Sequence, residues 1–272
     1  MVSSSWIDPS PPGAAELLER SLRADARASN AYALLDMAFD PELIRRLQKL
    51  ASPNRMESLY AGAYDGPDLD TVAPQLISLP ADDENRLPML QRLLKATDGR
   101  PMLSFVTTEL STTEFKAHLQ HQIEATTPDG KEWMLRFADT RTLHALLSVF
   151  STDQRKRFLA GIDQWIYFDR AGQLVAVPGG PGNAASETSP YALAADQAAR
   201  LKSLALPDAL LFNIAKRPDL FGRLQGRLSV AHACIEAALA KLQQPSELHD
   251  ATLYSAVLAA LSEHQLIAET AT

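Results

Sequence analysis

Residues 178–190 read PGGPGNAASETSP, and this stretch divides the chain into two parts of different character. Glycine, proline and serine dominate it, and it offers nothing to bury, which is the composition of a linker. Before it, short apolar runs alternate with helical patterns; after it, the chain is rich in Ala and Leu with almost no strand signal. The expected organisation is an α/β lobe over 1–178 with an N-terminal arm and helix, a linker over 179–190, and an all-helical lobe over 191–272. Gly179, Gly180 and Gly182 follow a strand signal, as the glycines of a phosphate loop do. Prolines interrupt them, and no Lys or Ser/Thr follows at the required offset, so the linker reading is preferred.

Moving upstream, Trp165 to Phe168 and Leu174 to Val177 flank a turn at Asp169–Gly172 and read as a hairpin. Further strand signals fall at 32–36, 56–60, 75–79, 102–107 and 133–137. Helical patterns fall at 14–29, 40–50, 87–96, from Ser111, from Asp139 and at 152–159, with a Ser111–Glu114 capping box. Strands alternating with helices imply an α/β (α+β) fold, and the hairpin implies that the sheet is mixed. Downstream, helices are expected at about 191–205, 207–216, 219–242 and 247–268. In the third, Leu220, Leu224, Leu228, Ala231, Ile235, Ala238 and Leu242 follow one face, and Gly222 and Gly226 sit one turn apart. Lys216, Arg217, Arg223 and Arg227 form a small basic cluster there. It reads as a solvated face, or as a contact for an acidic partner or for the chain's own first lobe.

Composition narrows the function. The 272 residues carry a net charge of -7, which speaks against nucleic-acid binding. Cys234 is alone, so neither an intrachain disulfide nor a cysteine metal site is available. No apolar run approaches the roughly 20 residues of a membrane span. The opening MVSSSWIDPSPPG lacks a basic start and an apolar core, so it reads as an arm pinned by Trp6 and Ile7, not as a signal peptide. A cytoplasmic location away from membranes is expected.

Catalytic signatures such as G-x-S-x-G, a P-loop or H-E-x-x-H are missing from the sequence. His118 and His121 stand three apart on a helix, with Glu114 four residues before His118, a spacing able to share a metal ion. Without a further ligand, polar residues of an amphipathic helix explain the same pattern. His144, near Asp139 and Arg141, has the makings of an acid/base group, but no nucleophile accompanies it. Cys234 lies among alanines with no cation within a helical turn, which marks a buried, inert thiol.

Residues 129–147, DGKEWMLRFADTRTLHALL, carry the most functional information. Arg136 sits in an apolar strand, Asp139 ends that strand and caps a helix, and Arg141 lies in the helix's first turn. A cation there opposes the helix dipole, so Arg141 is expected to have a carboxylate partner. Two guanidinium groups flanking one acid would make a compact ion-pair network. Such a network either orders the corner or leaves one arginine to grip a ligand or peptide.

With Tyr32 to Asp36, Ser58 to Gly62, Ala73 to Leu79, Phe115 to Leu119 and Asp129-Gly130, this charged trio occurs in the order and spacing of one bacterial family. Over about residues 30–170 the chain resembles the adaptor or chaperone proteins of type VI secretion effectors, a family first described as a domain of unknown function. It departs from the family pattern at Ala138, where an aromatic residue is common, and at Thr140, where proline is common. The resemblance implies two lobes, no catalysis and no cofactor. It also implies two partners: a cognate secreted effector, held in the donor cytoplasm, and the VgrG spike protein onto which that effector is loaded. An adaptor needs exposed apolar anchors with a few charges, and Trp165, Tyr167, Phe212 and Phe221 are candidates alongside Arg136, Asp139 and Arg141. Core packing is the other reading of each aromatic. The rival functions are an enzyme using Asp139, Arg141 and His144, and an immunity or regulatory binding protein.

Overall fold

The computed structural model describes residues 5–23, 30–50, 56–180, 188–242 and 249–268. Residues 181–187 of the expected linker, 24–29 of the first expected helix and 247–248 of the last lie outside the described residues. The first part runs α1 (Ala14–Arg23), β1 (Asn30–Asp36), α2 (Leu43–Leu50), β2 (Met56–Ser58), β3 (Pro74–Ser78), α3 (Asp83–Thr97) and β4 (Leu103–Thr108). It continues with α4 (Thr112–Gln120), β5 (Glu124–Thr126), β6 (Glu132–Met134), α5 (Thr140–Val149), α6 (Thr152–Phe158), β7 (Ile162–Phe168) and β8 (Leu174–Pro178). From residue 191 onward come β9 (Tyr191–Ala192), α7 (Ala195–Lys216), α8 (Pro218–Phe221), β10 (Arg223–Leu224), α9 (Leu228–Leu239), α10 (Asp250–Glu263) and β11 (Ile267–Ala268).

Six strands form the central sheet in the order β2-β3-β1-β4-β7-β8. Each neighbouring pair is antiparallel, so the mixed sheet expected from the sequence is corrected. Parallel pairing occurs instead in the small sheet β6-β5-β9, between β5 and β9. The sequence could not give strand direction, because a run buried on both faces is apolar throughout whichever way its neighbour points. The strand β1 illustrates this. Tyr32 and Leu34 pack with Phe115, Leu143, Phe158 and Trp165 on one face, while Ala33 and Leu35 pack with Leu18, Leu47, Leu90 and Phe105 on the other. Helices α4, α5 and α6 cover the first face, and α1, α2 and α3 the second.

The helical part has its own core of Leu210, Leu211, Ile214, Ile235, Leu253, Val257 and Leu261. Expected helices at 191–205 and 207–216 are one helix, α7, with Pro207 buried inside it. The expected helix at 219–242 is instead α8, a chain reversal and α9. Gly222 breaks it: its φ is 91°, and a Cβ there would stand 2.5 Å from the Ala268 carbonyl oxygen. Gly222 therefore lets β10 lie beside β11, a close backbone approach made outside a helix. Among the described residues, 191–268 are thus not purely helical. Tyr191 and Leu193 belong to the first core, so the chain re-enters the α/β layer before α7 leads away. Among the described residues, no helix is long and apolar enough to cross a membrane.

Candidate functional site: a groove and an adjoining charged junction

Asp36 ends β1 and accepts the Ala38 amide at 3.1 Å, capping the short turn 37–39. Its carboxylate is buried, and burial raises its pKa above the usual value although Arg136 opposes the shift. Arg136 donates to Asp36 Oδ2 at 2.7 Å and lies over the Phe39 ring at 5.5 Å, while its side chain stays 50% exposed. It sits just beyond β6, not within a strand as its apolar neighbours implied. Around this pair opens a groove of about 280 Å³, lined by Asp36, Tyr60, Val72, Pro74, Met134 and Arg136 among others. Val72 is 40% and Met134 51% exposed, so two of the five exposed large hydrophobic residues among those described lie on this groove. Exposed apolar side chains gathered around a concavity, with one charged group at hand, are what a binding surface requires.

Asp139 and Arg141 face another way. Asp139 caps α5 by accepting the Arg141 amide at 2.9 Å, and it also takes the Arg141 guanidinium at 2.8 and 3.1 Å. The expected carboxylate partner of Arg141 is therefore present, and Asp208 of α7 adds a second at 3.4 Å. Burial works against the Arg141 charge, but Asp139 and then Asp208 hold its pKa above the ordinary value. Asp208 also takes both terminal nitrogens of Arg170 at 2.5 Å and lies 3.7 Å from His232. Burial first and Arg170 next lower the His232 pKa, against the opposing pull of Asp208 and Glu236. The N-terminal arm closes this junction: Trp6 stacks on Phe212 at 4.5 Å and carries the Arg141 guanidinium over its ring at 5.0 Å. Asp8 accepts from Arg227 at 2.8 Å and from Ser229 Oγ at 2.5 Å. The Trp6 and Ile7 amides donate to the Gly99 carbonyl at 2.7 and 3.2 Å, and Arg227 of the basic cluster reaches Asp8 in the chain's first part.

The segment 136–141 therefore serves two places. The expectation that Arg136 and Arg141 flank one acid is corrected: Arg136 takes Asp36, and Arg141 takes Asp139 and Asp208. A sequence gives no direct sign of Asp208 or Arg170, which reach the junction from distant elements. Asp36 had a signal, an acid closing a fully apolar run.

Other candidates have settled roles. Trp165 and Tyr167 are 0% and 2% exposed on β7, between β4 and β8, so as exposed anchors they are corrected to core residues. The Trp165 indole donates to Ser104 at 3.0 Å, and the Tyr167 hydroxyl lies 3.0 Å from His144 Nδ1. Among the described residues, no hydrogen bond joins His144 to Asp139 or Arg141. Phe212 is half-buried under Trp6, and Phe221 is stacked on Tyr254 at 5.0 Å. His118 is buried with Nε2 3.1 Å from the Phe158 carbonyl, and burial lowers its pKa to about 4. Glu114 closes the predicted capping box with Ser111. No group of three or more His, Cys, Asp or Glu able to hold a metal ion occurs among the described residues. Cys234 is partly buried, which raises its pKa.

Fold and groove together define an antiparallel α/β protein with a helical extension and an open, apolar-lined surface on the α/β part. The family model described as "Domain of unknown function (DUF4123)" matches residues 31–157, a segment that holds the whole groove lining. That family is associated with type VI secretion effector adaptors. No curated protein and no solved structure matches the chain.

Proposed function

We propose that the chain is an adaptor that binds a type VI secretion effector in the cytoplasm, keeps it soluble, and helps load it onto the VgrG spike. The observation that carries this reading is the coincidence of the matched segment with the groove at Asp36 and Arg136. Val72 and Met134 offer apolar surface to a partner side chain, and exclusion of water there strengthens hydrogen bonds from the free edge of the Arg136 guanidinium. Binding alone is assigned, with no covalent step. In support, the rival catalytic set is otherwise engaged: Arg141 is spent on two carboxylates, and His144 is tied to Tyr167.

Coexpression tests the proposal. The chain is produced with the product of the large open reading frame adjacent to its gene, as candidate toxin, and, separately, with a VgrG spike protein. The expected result is a soluble complex with the toxin that forms only in this chain's presence. A toxin that is soluble alone and never copurifies would refute the adaptor role.

A further inference from the structure

A second surface lies on the helical part, away from the matched segment. Residues 216–227 read KRPDLFGRLQGR, with four cations against one acid in a chain whose net charge is -7. Lys216, Arg217 and Arg223 are exposed, whereas Arg227 is committed to Asp8 and the Ala171 carbonyl. Leu220 stands among these cations in the sequence and is 61% exposed, more than any other large hydrophobic residue among those described. The Arg217–Asp219 pair is long, at 3.4 Å, and both side chains are exposed, so it holds little energy and can yield to a better partner.

The backbone beneath is fixed. Leu220 and Phe221 donate to the Arg217 carbonyl at 3.0 Å, Gly222 donates to Pro218 at 3.1 Å, and Gln225 donates to Leu266 at 2.8 Å. Phe221 is anchored on Tyr254, so Leu220 is held outward by an ordered reversal. A pre-formed surface loses little entropy when it binds, and an exposed leucine flanked in the chain by exposed cations is suited to one kind of partner.

From this we propose that residues 216–227 dock an acidic, amphipathic segment of a partner polypeptide, with Leu220 entering its apolar side and Lys216, Arg217 and Arg223 meeting its carboxylates. This rests on the adaptor reading only in that the partner is a polypeptide. The other polyanions fit less well. Three cations on a strongly acidic chain are few for a phosphate backbone or an anionic bilayer, and one leucine does not anchor a protein in lipid.

The test uses the full chain and labelled probes followed by fluorescence anisotropy: a short helical peptide of Glu and Leu, the same peptide with Lys for Glu, one with Ser for Leu, duplex DNA, and phosphatidylglycerol vesicles. The Glu–Leu peptide alone is expected to bind, and its affinity to fall about tenfold on raising the salt from low to physiological levels and above. Leu220→Ser and the double variant Arg217→Glu with Arg223→Glu should each weaken it by about tenfold or more. These residues are exposed, and an unchanged circular dichroism melt verifies folding of each variant. No binding of the Glu–Leu peptide, equal binding of the Lys peptide, undiminished binding by the charge-reversed variant, or preference for DNA or vesicles would each overturn the proposal. Loss of peptide binding with the toxin still copurifying would refute this surface and leave the adaptor reading standing. Peptide binding without copurification would do the reverse.

Discussion

At the scale of single residues, the paired charges differ in what they can tolerate. Asp36 is buried and Arg136 half exposed, so removing the cation strands a carboxylate, whereas removing the acid leaves a guanidinium that water can reach. Arg136→Ala should therefore cost about 2 kcal/mol at neutral pH, more than Asp36→Asn, in urea denaturation. The penalty should shrink in mild acid. The folded-state pKa of Asp36 is raised, so the folded chain takes up its proton first and gains relative stability as pH falls through that pKa. An equal penalty at both pH values would contradict the assignment. His118 has the opposite sign. Its folded pKa is lowered from 6.5 to about 4, so its contribution is complete above 6.5 and is lost as pH falls from there toward 4. Replacing it by His118→Gln, which keeps a donor toward the Phe158 carbonyl, should flatten the loss of stability between pH 7.5 and 5 that wild type shows. The pH dependence of the difference between the two proteins is the readout, since it removes contributions that both share.

At the scale of elements, strand and helix positions were largely legible, and their ends and directions were not. The Asp139 cap and the Ser111–Glu114 capping box mark helix starts by chemistry that acts within four residues, and both stand where the sequence implies. The pairing of β1 with β3 and β4 joins residues 38 to 46 and 68 to 78 positions apart, which local patterns do not encode. Gly222 shows the same limit. Leucines at helical spacing on either side made 219–242 look continuous, while the reason for the break, the Ala268 carbonyl, lies far along the chain. Gly222→Ala should thus destabilise the helical part by about 2 kcal/mol or more, combining a left-handed φ with a backbone clash. Gly226→Ala should cost less, because its φ of 71° is also positive but its nearest neighbour is the Leu266 side chain at 3.9 Å. Denaturant melts of the two variants check the order.

At the scale of the whole molecule, one aspartate joins elements remote in sequence. Asp208 of α7 gathers Arg141 from α5, Arg170 from the β7–β8 turn and His232 from α9, and the Trp6 arm lies across the same junction. The candidate-site trio was legible as chemistry, because Arg136, Asp139 and Arg141 are charges set among apolar residues. Its division between groove and junction was not, because the partners Asp36 and Asp208 arrive through the fold. Asp208→Asn should leave Arg141 and Arg170 short of a counter-charge and speed amide hydrogen exchange in α7 and the residue 5–10 arm, with the central sheet protected as before. Uniform exchange changes across the sheet would show that the junction is not a local clasp.

The central claim concerns the groove beside Asp36 and Arg136 as the place where a partner polypeptide sits. It is tested most directly by measuring, calorimetrically, the affinity of the purified effector for wild type and for Val72→Asp and Met134→Asp, two changes at exposed positions. The account predicts unchanged melting temperatures and binding weakened by about a hundredfold in the double variant. Full affinity with both carboxylates in the groove would contradict it.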